Sequence, residues 1–287
     1  VLLHGLLQGT AEQREQGALG LADLVEKTTP DALKPFITAM VGPLIRLCGD
    51  RHAPPVKMAI LTSLHTMVQR VPLLVRPFYP QLQRSFQKAL SDPASGTVRS
   101  QAAHALGRLM GLQTRVEGVV HELIHTIRRA LAEPDDTADA AATALACILA
   151  HVPHDRLSDG VRASIAACLH DAFHAEEEPR EALKKALADV LAALLRFDAH
   201  AAEPLLSAQV LLPAPVDVHF AALCLRACME HAPDALYAAV RPPSLVSQLT
   251  AAWLSEAPSV ARAARETREM IRRSCPWKAD DSVLSAL

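Results

Sequence analysis

Apolar side chains along this chain return at steps of three and four residues, and they do so in bursts. After Arg99, the residues Ala103, Leu106 and Leu109 share one helical face, because such steps bring a helix back to the same side. The same run follows Arg14 (Ala18, Leu21, Leu24), Lys57 (Leu61, Leu64, Met67), Ala138 (Ala142, Leu145, Ile148) and Val218 (Ala222, Leu225, Cys228). Weaker copies follow Arg180 (Lys184, Leu187, Val190) and Val260 (Ala264, Thr267, Met270). Successive anchors are 43, 42, 39, 42, 38 and 42 residues apart. The intervals hold earlier helices, such as "LKPFITAMVGPLIRLCG", "YPQLQRSFQKALSD" and "VEGVVHELIHTIRRAL". No alternation of period two competes. Two helices in about 40 residues predict an all-α, HEAT/armadillo-like helical-repeat solenoid of about seven helix pairs. One pair cannot bury its own apolar face, so the array folds by stacking.

The turns carry their own pattern. Pro and Asp open helices in "TTPDALKPF", "AEPDDTAD" and "EEEPREAL". Asp92 precedes Arg99 by seven residues, as Asp50 precedes Lys57, which predicts a ladder of turn aspartates and helix cations between repeats. Ala102, Ala103 and Gly107 are small enough to admit a close neighbouring helix. "LLPAPVD" near Leu211 and "VRPPSL" near Arg241 read as inter-helix turns, since Pro lacks the donor a helix needs.

Composition sharpens this picture. Of 287 residues, half are apolar and only 3% aromatic, which favours helices and disfavours base-stacking platforms. The net charge of −2 hides an asymmetry: residues 1–132 hold 15 Lys and Arg against 9 Asp and Glu, and residues 133–287 hold 14 against 22. The two parts are expected to face different partners within one solenoid. The six cysteines form no CxxC and sit mostly on apolar faces, as reduced core thiols do in a cytosolic protein. The longest nearly apolar run, about residues 140–150, is too short to cross a bilayer, and no signal peptide is visible. The chain starts with Val inside a helical pattern and reads as a piece of something longer.

Several stretches imitate chemistry. "HELIH" (His121–His125) matches a zinc-protease pattern, but Arg128 and Leu131 stand where the extended motif needs Gly and His. In a repeat helix, Val119, Val120, Leu123 and Ile124 form the buried stripe and the histidines sit beside it. "HDAFH" places His170 and His174 one turn apart before Glu176–Glu178, and reads as a solvated helix end. Cys224 and Cys228 read as core. Arg262, Arg265, Arg268, Arg272 and Arg273 follow helical spacing and offer an RNA contact, weakened by Glu266 and Glu269 between them. No catalytic residue, metal site or cofactor is assigned.

The front of the chain adds specific words to the repeat. "EQRE", "LKPF", "GPLIR", "RPFYPQLQ" and "QTRV" occur in that order between Gly5 and Leu131. This stretch resembles the C-terminal HEAT-repeat region of the translational activator of general amino-acid control, the stalled-ribosome sensor (Gcn-one) family. The resemblance implies a cytosolic, ribosome-associated scaffold rather than an enzyme. It implies docking of the RWD domain of the starvation-activated kinase that phosphorylates the alpha subunit of initiation factor two. Ribosome contact would lie mainly outside this chain, and neither a membrane nor a small-molecule substrate is implied. Basic residues serve the docking, and the matching positions are Arg14, Arg46 and Arg51, extended by Lys34 and Lys57. Arg14 shares its anchor position with Arg99, so a ladder role is the alternative for it. The rival readings are a HEAT scaffold for another protein, such as tubulin, for which Trp253 and Trp277 supply no aromatic row, and RNA or ribosome contact through the Arg-rich last helix.

Overall fold

The computed structural model describes residues 1–49, 52–133, 135–175, 179–206 and 218–239, and these are helices and short turns with no strand among them. The arginine-rich segment 262–273, the Val260 anchor, Trp253, Trp277, Cys275, Glu176–Glu178, Arg51, Asp50 and the proline turns near 211 and 241 lie outside the described residues.

The chain divides into two compact units. Unit 1 takes residues 1–116 and 143–153; unit 2 takes residues 117–142 and the described residues from 154 on. Unit 1 contains α1 (Leu2–Gln8), α2 (Ala11–Lys27), α3 (Pro30–Leu33), α4 (Ile37–Cys48), α5 (Pro54–Arg70), α6 (Pro72–Val75), α7 (Tyr79–Leu90) and α8 (Gly96–Met110). Unit 2 contains α9 (Glu117–Ala132), α11 (Asp159–Phe173), α12 (Glu181–Phe197), α13 (Ala199–Ala202), α14 (Val218–His231) and α15 (Pro233–Ala239). Helix α10 (Ala138–His151) gives its first five residues to unit 2 and the rest to unit 1.

Local chemistry sets the helix starts. Thr10 and Gln13 exchange hydrogen bonds in a capping box ahead of α2, and Ser95 Oγ accepts from Val98 N ahead of α8. Pro54 occupies the first turn of α5, where a missing N–H costs nothing. The first helices of two repeats are broken rather than continuous. Helix α3 stops at Leu33 and α4 begins at Ile37, with Pro35 between them; α6 stops at Val75, and Pro77 sits in a short 3₁₀ turn before α7. Neither proline can donate to the preceding turn.

The anchored stripes form the core. Ala18, Leu21, Leu61, Leu64, Met67, Ala103, Leu106 and Leu109 are almost completely buried in unit 1. Leu24 departs from the expected stripe: it is 41% exposed while Val25 is buried. On α2 the steps from Ala18 run three then four, so the 3.6-residue turn carries the stripe to Val25. Ser63 lies buried among these residues and donates to the Ala18 carbonyl at 2.6 Å, tying α5 to α2. In unit 2, Val119, Val120, Leu123 and Ile124 are buried on α9, with His121 and His125 exposed. Leu187, Val190, Leu225, Cys224 and Cys228 are buried on α12 and α14, and Phe173 meets Phe220 with centroids 4.9 Å apart.

One close approach requires glycine. A Cβ on Gly107 of α8 would lie 2.3 Å from Cys147 Cβ, and one on Gly111 would lie 2.9 Å from His151 Cβ. A glycine pair one turn apart therefore seats α10 against α8 at a distance no side chain permits.

Candidate docking edge

The turns that join successive helices of unit 1 gather its most connected charges. Asp92, in the turn after α7, is buried. Its Oδ1 accepts from Ala94 N at 3.0 Å, its Oδ2 meets Lys57 Nζ at 2.5 Å, and its carbonyl accepts from Arg99 at 2.9 Å. One rung of the expected kind is built, with different partners: Lys57 takes the carboxylate of Asp92 from the following repeat, and Arg99 takes the Asp92 carbonyl rather than its carboxylate. Burial alone would raise the Asp92 carboxyl; the Lys57 ammonium and the N–H groups of Ala94 and Ser95 together hold it below the usual carboxylate range.

Beside this joint is a cavity of about 580 Å³, lined by Cys48, Gly49, Lys57, Lys88, Ser91 and Asp92 among others. Lys88 Nζ donates to the Gly49 carbonyl at 3.2 Å. Burial pushes the Cys48 thiol up to about 11, so it stays a neutral thiol. Arg46 lies in the last turn of α4, exposed, one turn from the cavity wall. Arg46, Lys57 and Lys88 thus share one edge. Lys88 was not singled out from the sequence, yet "RLCGD" and "KALSD" superpose at an offset of 42 residues and pair it with Arg46.

The other expected docking residues are placed differently. Arg14 is half-buried and turned inward: its Nε donates to Gly9 O at 3.0 Å and its Nη1 to Leu6 O at 2.8 Å. It caps the carbonyl end of α1, where a cation is favoured. Lys34 closes α3 and is exposed. Arg51 lies outside the described residues.

Chemically, this edge presents cations at the rim of a largely apolar hollow, whose lining also includes Leu61, Ala89, Pro93 and Val98, and the cations suit carboxylates. Among the described residues no group of three His, Cys, Asp or Glu side chains is arranged for a metal ion. No single described helix is long and apolar enough to cross a membrane.

The HEAT-like repeat family matches residues 54–109, which run from α5 to α8. The eIF-2-alpha kinase activator GCN1 of Saccharomyces cerevisiae is 45% identical over 138 residues, covering 48% of this chain and 5% of that protein. The stalled ribosome sensor GCN1 of Mus musculus is 38% identical over 212 residues, covering 66% of this chain and 8% of that protein. The chain is a HEAT-repeat region of the GCN1 family. Protein ILITYHIA of Arabidopsis thaliana carries the similarity further, at 34% identity over 89% of this chain and 9% of that protein. The chain therefore spans less than a tenth of the length of these relatives. The crystal structure of Kap121p bound to RanGTP has the same kind of fold, with a TM-score of 0.61 at 15% identity over 92% of this chain and 28% of that one. The all-α helical-repeat solenoid expected from the periodicity is thus the fold of the molecule.

Proposed function

We propose that this chain is the protein-docking part of a translation-control scaffold, and that the turn edge of unit 1 receives the RWD domain of the kinase acting on the alpha subunit of initiation factor two. The observation that carries this reading is the set of cations at the end of α4 and around the cavity, Arg46, Lys57 and Lys88, in a chain of which 138 residues are 45% identical to a named eIF-2-alpha kinase activator. Arginine suits the task because its planar fork takes a carboxylate through two parallel hydrogen bonds. Arg46, on this edge, and Lys34, at the opposite end of α4, are the exposed cations offered to a partner; Arg14 and Lys57 hold helix ends in shape, and Arg51 completes the set. The scaffold performs no reaction of its own. It works in the cytosol, joined to the ribosome mainly through parts of the protein beyond this chain.

The test is a titration of the chain against the purified RWD domain by calorimetry. Arg46→Ala with Lys34→Ala should weaken binding about tenfold or more while helicity by circular dichroism is unchanged. Arg14→Ala should lower thermal stability as well as affinity. Unchanged affinity in the Arg46 and Lys34 double variant would remove the edge as the docking site.

A further inference from the structure

The exposed side of the second helices in unit 1 carries a feature that the turn edge does not use. Arg108, on α8, is half-buried, and its Nε is enclosed without an acceptor. It makes no hydrogen bond or ion pair among the described residues. Three histidines accompany it from three helices. His65 of α5 has Gln69 Nε2 2.9 Å from its Nε2 and Gln101 Nε2, from α8, 3.5 Å from its Nδ1. Burial lowers its pKa to about 4, and His104, Arg108 and His151 act on it in the same direction. His104 and His151 are exposed, and each places Nδ1 2.8 Å from the carbonyl one turn back, Ser100 O and Cys147 O. A carbonyl only accepts, so Nδ1 carries the proton and Nε2 is left for a ligand.

We propose that this band is a second binding surface, for an acidic polypeptide segment of a partner protein, with one carboxylate on Arg108, a flanking acceptor met by the Gln101 amide, and backbone N–H groups of the segment donating to Nε2 of His104 and His151. A guanidinium drawn partly out of water without a counter-charge is costly, and an incoming carboxylate relieves that cost. Charge complementarity selects the occupant: the band offers one permanent cation, two amides and three imidazoles. Protein fits better than RNA, because tracking a phosphate backbone takes several permanent cations and stacking takes exposed aromatic rings, and no Phe, Tyr or Trp lies in the band.

The test uses the whole 287-residue chain and a short fluorescein-labelled poly-Glu peptide followed by fluorescence anisotropy. Arg108→Gln should weaken binding about tenfold, the loss expected of a charge-assisted contact. His104→Glu, a surface change that leaves the core alone, should weaken it comparably, and Arg115→Gln, outside the band, should not. The His65 ring resonances should report a raised pKa when peptide is bound, because a nearby anion favours the imidazolium. Absence of peptide binding, equal binding by the Arg108 and His104 variants, or displacement of the peptide by oligouridylate at equal concentration would each overturn the proposal.

Discussion

Two joints in this molecule use the same grammar in different solvents. In unit 1, Asp92 caps its own turn through Ala94 N and grips Lys57; the two side chains are 5% and 18% exposed. In unit 2, Asp135 caps its own turn through Thr137 N at 2.8 Å and pairs with Arg129 at 2.9 Å, while Asp136 pairs with Arg180. There the partners stand in water: Arg129 is 54% exposed, Arg180 44% and Asp136 74%. Each turn aspartate orders two residues of backbone and ties one helix to another. Only the first does so out of water, where removing one partner strands the other. An exposed pair is screened and loosely held. The contrast teaches that a ladder motif is a geometric device everywhere but an energetic one only where it is buried.

The sharpest way to break this comparison is to delete an aspartate from each joint. Asp92→Ala should cost about 3 kcal/mol, since it leaves Lys57 and the Ala94 N–H without their acceptor in a buried site. Asp136→Ala should cost less than about 1 kcal/mol. Urea denaturation with native-state hydrogen exchange separates the two. Similar losses in both variants would end the distinction between the joints.

Glycines divide the units in the same way. Gly107→Ala should destabilise unit 1 by about 2 kcal/mol, because the new methyl meets Cys147 Cβ and backbone and forces α10 away from α8. Gly118→Ala in the first turn of α9 meets nothing within 4 Å and should stabilise unit 2 by about 0.5 kcal/mol through helix propensity. Thermal melts of the two variants should shift in opposite directions.

Much of this was legible in the sequence because repetition does the reading. Among the described residues, the anchor spacing predicted second helices that the structure contains, and burial follows the stripes except at Leu24, where a fixed step pattern drifted against the true helical turn. The break at Pro35 was present in the letters, but the long apolar run after it outweighed it, whereas the helix after Pro77 was read from Tyr79, where it begins. The site was less legible. Arg14 and Lys57 stood out as cations, while their inward engagement with Leu6, Gly9 and Asp92 depends on where neighbouring helices end. Lys88 needed the 42-residue offset to be noticed. The Arg108 band was silent, because its members come from three helices and no single stretch of sequence contains it.

The smallest expected effect concerns acid, and it asks whether burial or hydrogen bonding governs a turn aspartate. Both carboxyls are held below their ordinary range. Asp92 owes this to Lys57 and backbone N–H groups acting against burial, and Asp135 chiefly to Thr137 N, then to Arg129. A carboxyl whose pKa is lower in the folded chain binds its proton more readily when unfolded, so stability rises with pH through that interval. The stabilisation is complete above the unfolded carboxylate pKa, about 4, and is lost as pH falls through the lower folded value. Chain stability should therefore be nearly flat with respect to these two groups from neutral pH to about 5, then fall. Asp92→Asn and Asp135→Asn should each flatten that acid limb. If hydrogen bonding governs, the two flattenings will be similar despite the difference in burial, and the joints will prove alike in their response to protons while differing in what their loss costs at neutral pH. If only Asp92→Asn alters the limb, burial of the pair governs both responses, and the exposed joint of unit 2 is a steric spacer with charged ends.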